Sequence, residues 1–232
     1  MDKMLGDEAL QKYNDEFYED RLLIKICGMK YPPNIKDVVA LNPDFLGFIF
    51  YRKSPRYVEP FPFEALNLIP PTIKKTGVFV NEKLDDILTV VHRYKLDAVQ
   101  LHGHEMERTC RKLRETGLTI IKAFPIETAH NFIPARHYEG LCDYFLFDTK
   151  SDSHGGSGNK FNWNILHEYN GKTPFLLSGG IDSGDVSAIT RLNHPKLAGV
   201  DLNSRFETKP GLKDVSKLKE FLNALGHPES FH

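Results

Sequence analysis

Short apolar runs recur along the chain at fairly even spacing, at residues 22–27, 45–50, 76–80, 97–101, 119–124, 143–147, 174–178 and 198–202. Runs of this length bounded by turn-forming residues suit buried strands better than helices. Between several of them the apolar period lengthens from that of a strand to that of a helix. Leu84, Ile87, Leu88 and Val91 fall on one helical face, as do Val215, Leu218, Leu222 and Leu225. Asp182-Ser183 ahead of Val186 and Ile189 reads as a helix start, because both side chains cap free backbone donors. Eight strands, each followed by a helical stretch, predict an α/β protein folded as a single (β/α)8 TIM barrel. An open doubly wound sheet is the alternative, but no strand runs into G-x-G-x-x-G, so a dinucleotide site has no direct support.

No linker or low-complexity break interrupts residues 22–232, which are expected to form one catalytic domain. Residues 1–21 read differently: the first twenty hold seven acidic residues, two lysines and few aliphatics. They are expected to be a solvated acidic leader outside the barrel. A length of 232 residues with 41% hydrophobic positions buries a sizeable core without disulfides. Thirty basic against 31 acidic side chains give no global field for nucleic acid or an anionic membrane. Three cysteines without zinc-site spacing point to a reducing compartment. With no signal-peptide pattern and no apolar run long enough to span a bilayer, the expectation is a soluble, cytoplasmic protein.

In a closed β/α barrel the active site forms at the C-terminal strand ends, and here those ends are polar. The first run stops at Cys27-Gly28, with Lys25 and Cys27 on one face and Ile24 and Ile26 on the other. A neighbouring cation lowers a thiol's pKa, which makes Cys27 a candidate reactive group. Run four ends with Gln100 and His102 on one face, and run six ends in Asp148. Cys27 and Asp148, far apart around the ring, could address different atoms of one substrate, one taking a proton and the other giving one. Lys25 needs a counter-charge inside a barrel, and Asp201 on the closing strand supplies it. His102 reads as a general base, a satisfied core histidine or a substrate-orienting donor. Arg56, after Ser54-Pro55, could clamp a carboxylate or simply be solvated.

Gly179-Gly180 after run seven lets backbone amides approach an anion, and Arg205 after run eight adds a planar cationic donor. These are the loops that hold phosphate in this fold. Gly155-Gly156-Ser157-Gly158 is either a mobile flap or an ordinary surface loop. Cys110 shares an apolar face with Met106 and Leu113, and Cys142 precedes a strand without an evident partner. Both are expected to be inert.

These segments together resemble the phosphoribosylanthranilate isomerase family. The resemblance is carried by Lys25-Ile-Cys-Gly-Met-Lys30, Gly47-Phe-Ile-Phe50 with Ser54-Pro-Arg56, Gly77-Val-Phe-Val-Asn81 and Val99-Gln-Leu-His-Gly103. It continues through Phe147-Asp148, Gly155-Gly-Ser-Gly158 with Phe161-Asn-Trp163, Leu177-Ser-Gly-Gly-Ile181, Gly199-Val-Asp-Leu-Asn-Ser204 and Pro210-Gly-Leu-Lys-Asp214. It implies an Amadori rearrangement of N-(5-phosphoribosyl)anthranilate in tryptophan biosynthesis, without metal or organic cofactor. It further implies that Cys27 is the general base and Asp148 the general acid. Arg56 would hold the anthranilate carboxylate, and Gly179, Gly180, Ser204 and Arg205 the phosphate. Gln100, His102 and Asp201 complete the expected substrate-binding set. The family often has Ser-Gly-Val-Glu where this chain has Ser204-Arg205-Phe206-Glu207, which bears on how closely that loop approaches phosphate.

The expected partner is a small phosphosugar, handled by a monomer or homodimer. Three other readings stay open on sequence: indole-glycerol-phosphate synthase, a histidine-pathway isomerase and a non-catalytic phosphosugar-binding protein. The first would want a lysine acid at a strand end, and the second an aspartate where Cys27 stands.

Overall fold

The eight apolar runs all become strands in the computed structural model, which describes residues 21–58, 63–149 and 161–227. They are β1 (Leu23–Ile26), β2 (Phe45–Ile49), β3 (Lys74–Phe79), β4 (Ala98–Leu101), β5 (Thr119–Ile126), β6 (Tyr144–Thr149), β7 (Phe175–Leu177) and β8 (Leu197–Leu202). All run parallel in chain order, and β8 pairs with β1, so the sheet closes and has no edge. The predicted barrel is the observed architecture.

Side-chain parity decides what fills it. On β1, Ile24 and Ile26 enter the layer between sheet and helices, whereas Leu23 joins the cluster inside the ring. That inner cluster is Phe45, Ala98, Ile121, Ala123, Leu146 and Leu176. Two residues further along β2, β4 and β6, and just past β7, the same parity carries Gly47, Gln100, Asp148 and Ser178. The ring is therefore apolar through its middle and polar at its C-terminal mouth.

Six α-helices cover the sheet: α1 (Pro32–Val39), α2 (Phe63–Leu66), α3 (Leu84–Tyr94), α4 (Glu107–Arg114), α5 (Val186–Leu192) and α6 (Val215–Ala224). The predicted apolar faces are the buried ones, with Ile87, Val91 and Tyr94 inward on α3 and Leu218, Phe221 and Leu222 inward on α6. Asp182 caps as expected, accepting the Gly184 N–H at 3.0 Å, although a 3-10 turn at Ser183–Asp185 precedes α5.

Among the described residues, the expected helical stretch is of the 3-10 type in two places. β5 is followed by 3-10 turns at Ala129–Phe132 and Pro134–Tyr138, and β6 by one at Trp163–Glu168. Pro134 has no N–H to donate, which ends the first turn before it can lengthen. An antiparallel hairpin of β9 (Glu207–Lys209) and β10 (Leu212–Lys213) follows β8, turning at Gly211 with φ +84°. Met106 is corrected too. It precedes α4 rather than joining its repeat and is 51% exposed, while Cys110 and Leu113 are fully buried. Cys142 does have a partner, because its thiol hydrogen-bonds with that of Cys110.

Two contacts, one partly buried and one deeply buried, pin the frame. Arg21 reaches Asp44 at 2.6 Å, and the same carboxylate accepts the Ile24 N–H at 2.8 Å, fixing the entry into β1. Lys122, facing outward on β5, pairs with Glu105 at 3.2 Å and donates to the Gly103 carbonyl at 2.7 Å. Glu105 in turn accepts the N–H groups of Asn81 and Gly103, tying together the loops after β3 and β4. Residues 1–20 of the expected leader and the Gly155–Gly158 loop lie outside the described residues.

Candidate active site

One pocket opens at the C-terminal mouth of the ring, and all ten site residues predicted from sequence line it. It encloses about 690 Å³, counting the part open to solvent, within the usual ligand-pocket range of roughly 300–1,000 Å³. Cys27 enters from the end of β1 and Asp148 from β6, so the barrel brings thiol and carboxyl to one cavity.

Cys27 is 3% exposed and anchored by its N–H to the Leu202 carbonyl at 2.9 Å. Gly28 follows at φ +78°, where a side chain would be strained and its Cβ would meet Arg56 Cδ at 2.7 Å and Asn203 Oδ1 at 2.8 Å. Lys25, two residues earlier, donates to Asp201 Oδ1 at 2.7 Å, the pairing expected from sequence. Ser178 Oγ donates to the other Asp201 oxygen at 3.2 Å. One expectation is overturned here: the Cys27 pKa is raised. Burial pushes it up, and the Asp201 charge adds to that. Together they outweigh the opposing pull of Lys25 and Lys213. The surroundings as a whole therefore favour the thiol over the thiolate.

Asp148 is oriented from both sides. Its Oδ1 accepts the Thr149 N–H at 2.8 Å, and its Oδ2 lies 3.3 Å from His102 Nε2. Gln100 Nε2 lies 2.7 Å from His102 Nδ1. With the Gln100 amide as donor, the ring proton sits on Nε2 and faces Asp148. His102 is thus built as a donor to the Asp148 carboxyl, a pairing that the sequence did not indicate.

Arg56 is not a solvated loop arginine. It is 8% exposed and gripped by Glu207, with Nη2 at 2.7 Å and Nε at 3.0 Å from the carboxylate. That grip occupies the Nε–Nη2 edge and leaves Nη1 outside it. Glu207 also accepts from Lys213 Nζ at 2.8 Å, and Lys213 donates to Asn203 Oδ1 at 2.8 Å. Sequence reasoning missed Glu207 and Lys213; the only available signal was their place in the two segments that follow the last strand.

Burial opposes ionisation of Glu207, but its hydrogen bonds to Arg56 and Lys213 and their charges win, so its pKa is lowered. Lys213 is lowered because burial outweighs the pull of Glu207. The two shifts act in opposite directions on stability, so the pair adds little net, and breaking it is the costly event. A lowered carboxylate pKa contributes stability above the ordinary carboxylate range, and loses it as pH falls through the lowered value. Glu207→Gln should therefore flatten the corresponding part of the acid-unfolding curve, measured by circular dichroism against pH. An unchanged curve would contradict this.

The phosphate side is glycine-lined. Gly179 and Gly180 hold φ +91° and +68°, and a Cβ on Gly179 would meet the Thr149 backbone nitrogen at 2.6 Å and Asp148 Oδ1 at 3.0 Å. Ser204 starts the 3-10 turn Ser204–Phe206 at the pocket wall, and Arg205 is exposed at the rim. Backbone N–H groups and a guanidinium together suit an oxyanion.

A family model described as N-(5'phosphoribosyl)anthranilate (PRA) isomerase matches residues 24–224. The N-(5'-phosphoribosyl)anthranilate isomerase of Parabacteroides distasonis is 49% identical over 209 residues, 89% of this chain and 95% of that protein. The crystal structure of phosphoribosyl anthranilate isomerase from Thermotoga maritima superposes with a TM-score of 0.79 at 32% identity, covering 89% of this chain and 100% of the other. A phosphoribosyl anthranilate isomerase crystallised with reduced 1-(o-carboxyphenylamino)-1-deoxyribulose 5-phosphate superposes with a TM-score of 0.76 at 30% identity, covering the same shares.

Proposed function

The chain belongs to the N-(5'-phosphoribosyl)anthranilate isomerase family, and we propose that Cys27 and Asp148 carry its proton transfers. It is an aldose–ketose isomerase of tryptophan biosynthesis, converting N-(5-phosphoribosyl)anthranilate to 1-(2-carboxyphenylamino)-1-deoxyribulose 5-phosphate. The observation that carries the residue assignment is that a thiol from β1 and a carboxyl from β6 line one pocket.

Asp148 protonates the furanose oxygen as the C1′–O bond breaks, and the anthranilate nitrogen's lone pair forms the C1′=N bond. Cys27, as thiolate, takes the proton from C2′. The C–H electron pair becomes the C1′=C2′ bond, and the nitrogen regains its lone pair. The enol then tautomerises to the ketone. One proton leaves Asp148 and one arrives at Cys27, so the cycle closes when the sulfur gives its proton to solvent and the carboxyl takes one back. His102, held by Gln100, aims the Asp148 carboxyl. Arg56 Nη1 takes the substrate carboxylate, while Gly179, Gly180, Ser204 and Arg205 take the phosphate. Asp201 borders the sugar, with its charge held by Lys25.

Three free cysteines agree with a cytoplasmic enzyme, which we read as a monomer or homodimer. Among the described residues no helix is long and apolar enough to cross a membrane. The direct test follows the fluorescence of the anthranilate group. Purified chain given N-(5-phosphoribosyl)anthranilate should consume it at the same rate with and without EDTA. No consumption, or consumption abolished by EDTA, counts against the assignment.

A further inference from the structure

Lys25 has no solvent exposure and does not line the pocket, yet two polar groups that do line it depend on its ammonium. Nζ donates to Asp201 Oδ1 at 2.7 Å and is close enough to Cys27 for charge and hydrogen bonding to act on the sulfur. Strand geometry requires this arrangement. Residues two apart on β1 share the inward face, which sets Lys25 one layer beneath Cys27. The β1–β8 register then brings Asp201 directly beside Lys25.

An ion pair this deep is a poor device for stability, since removing both charges from water costs about as much as their attraction returns. Two apolar side chains of similar volume would fill the space as well. The charge count suggests what the pair is for. Two cations, Lys25 and Lys213, and one carboxylate, Asp201, act on Cys27, while Glu207 and Arg56 pair with each other and with Lys213 behind them. The Asp148–His102 pair lies on the pocket's other wall. One positive charge is left over on the Cys27 side, and a thiolate there would cancel it.

We propose that Lys25 is a positioning residue for catalysis: its ammonium, sealed beneath Cys27 and pinned by Asp201, supplies the positive charge against which the sulfur becomes an anion and receives the C2′ proton. Burial works against the ammonium, but Asp201 and Cys27 more than offset it, so Lys25 stays charged. Asp201 has two effects. It holds Lys25 in its protonated form, and it opposes ionisation of the thiol. The inference rests on Cys27 being the base.

Iodoacetamide alkylation of the full chain across a pH series tests it. Peptide mapping separates Cys27 from Cys110 and Cys142. In the unmodified chain, Cys27 alkylation should climb with pH. In Lys25→Met its midpoint should move upward, with the rate at pH 7 falling by about tenfold or more, and kcat should fall at least as far while KM stays within about threefold. A merely structural lysine would not move the alkylation midpoint. If Lys25→Met does not fold, Lys25→Gln removes the charge while keeping a donor for Asp201 and is read by alkylation in the same way. An unchanged midpoint in whichever variant folds overturns the proposal, as does Cys27 alkylation without pH dependence in the unmodified chain. If Cys27→Ala retains turnover, the base assignment itself fails, an outcome separate from failure of the Lys25 inference.

Discussion

Cys27→Ala and Asp148→Asn should each lower kcat by about 10²–10⁴-fold, the usual worth of a positioned acid or base, while a reduced product analogue binds within severalfold of normal. The two groups act in sequence on one molecule, so the double variant should lose much less than the product of the single losses. Asp148→Asn keeps an oxygen for the Thr149 N–H and a side chain of the same shape beside His102. Its defect would therefore report the missing proton rather than a displaced strand. Anthranilate fluorescence gives turnover, and calorimetric titration with the analogue gives binding. Near-normal turnover in either variant would remove that residue from the mechanism.

The second large effect concerns a residue without a side chain. Gly47 lies on the inward parity of β2 beside Cys27, and a Cβ there would come within 2.7 Å of Sγ, 3.1 Å of Cα and 3.2 Å of Cβ. A cysteine has no flexible end to swing aside, and the two closest partners after the sulfur belong to the strand end itself. Gly47→Ala should push the sulfur out of line and lower kcat by about 10²-fold, as a displacement of about 1 Å from reacting geometry does. Overpacking should also lower stability by about 1–3 kcal/mol. Gly184→Ala is the control, because its Cβ would meet only Asp182 Oδ1 at an ordinary 3.4 Å. Kinetics and thermal melts on both variants decide, and a Gly47→Ala enzyme with unchanged kcat would show that the sulfur does not need that space.

The strands and the mouth of the barrel were legible because one rule governs both. Alternation assigns Lys25 and Cys27 to one face and Ile24 and Ile26 to the other, and it continues from Ala98 to Gln100 and from Leu146 to Asp148. The fold then gathers these ends automatically. The roles assigned to Arg56 and the phosphate loops leaned instead on family resemblance. What stayed hidden depends on distances between remote segments. No local pattern marks Glu207 as the partner of Arg56, 151 residues away, or Lys213 as a second donor to Glu207. The Cys110–Cys142 contact joins α4 to a position two residues before β6, and nothing in either segment announces it. The thiol pKa was misread because a neighbouring lysine is visible in the sequence, whereas complete burial and the Asp201 charge are not. The 3-10 turns after β5 reflect a segment interrupted by Pro134 and too short to propagate an α-helix.

The bond between Lys25 and Asp201 spans 176 residues of chain. During synthesis the first strand therefore leaves the ribosome long before its counter-ion has been translated. Any shortened ring that tried to close early would have to bury a bare ammonium, which is prohibitive in the absence of a partner. The pair is thus made only by the strand that closes the ring, which links the charge beside the sulfur to completion of the barrel.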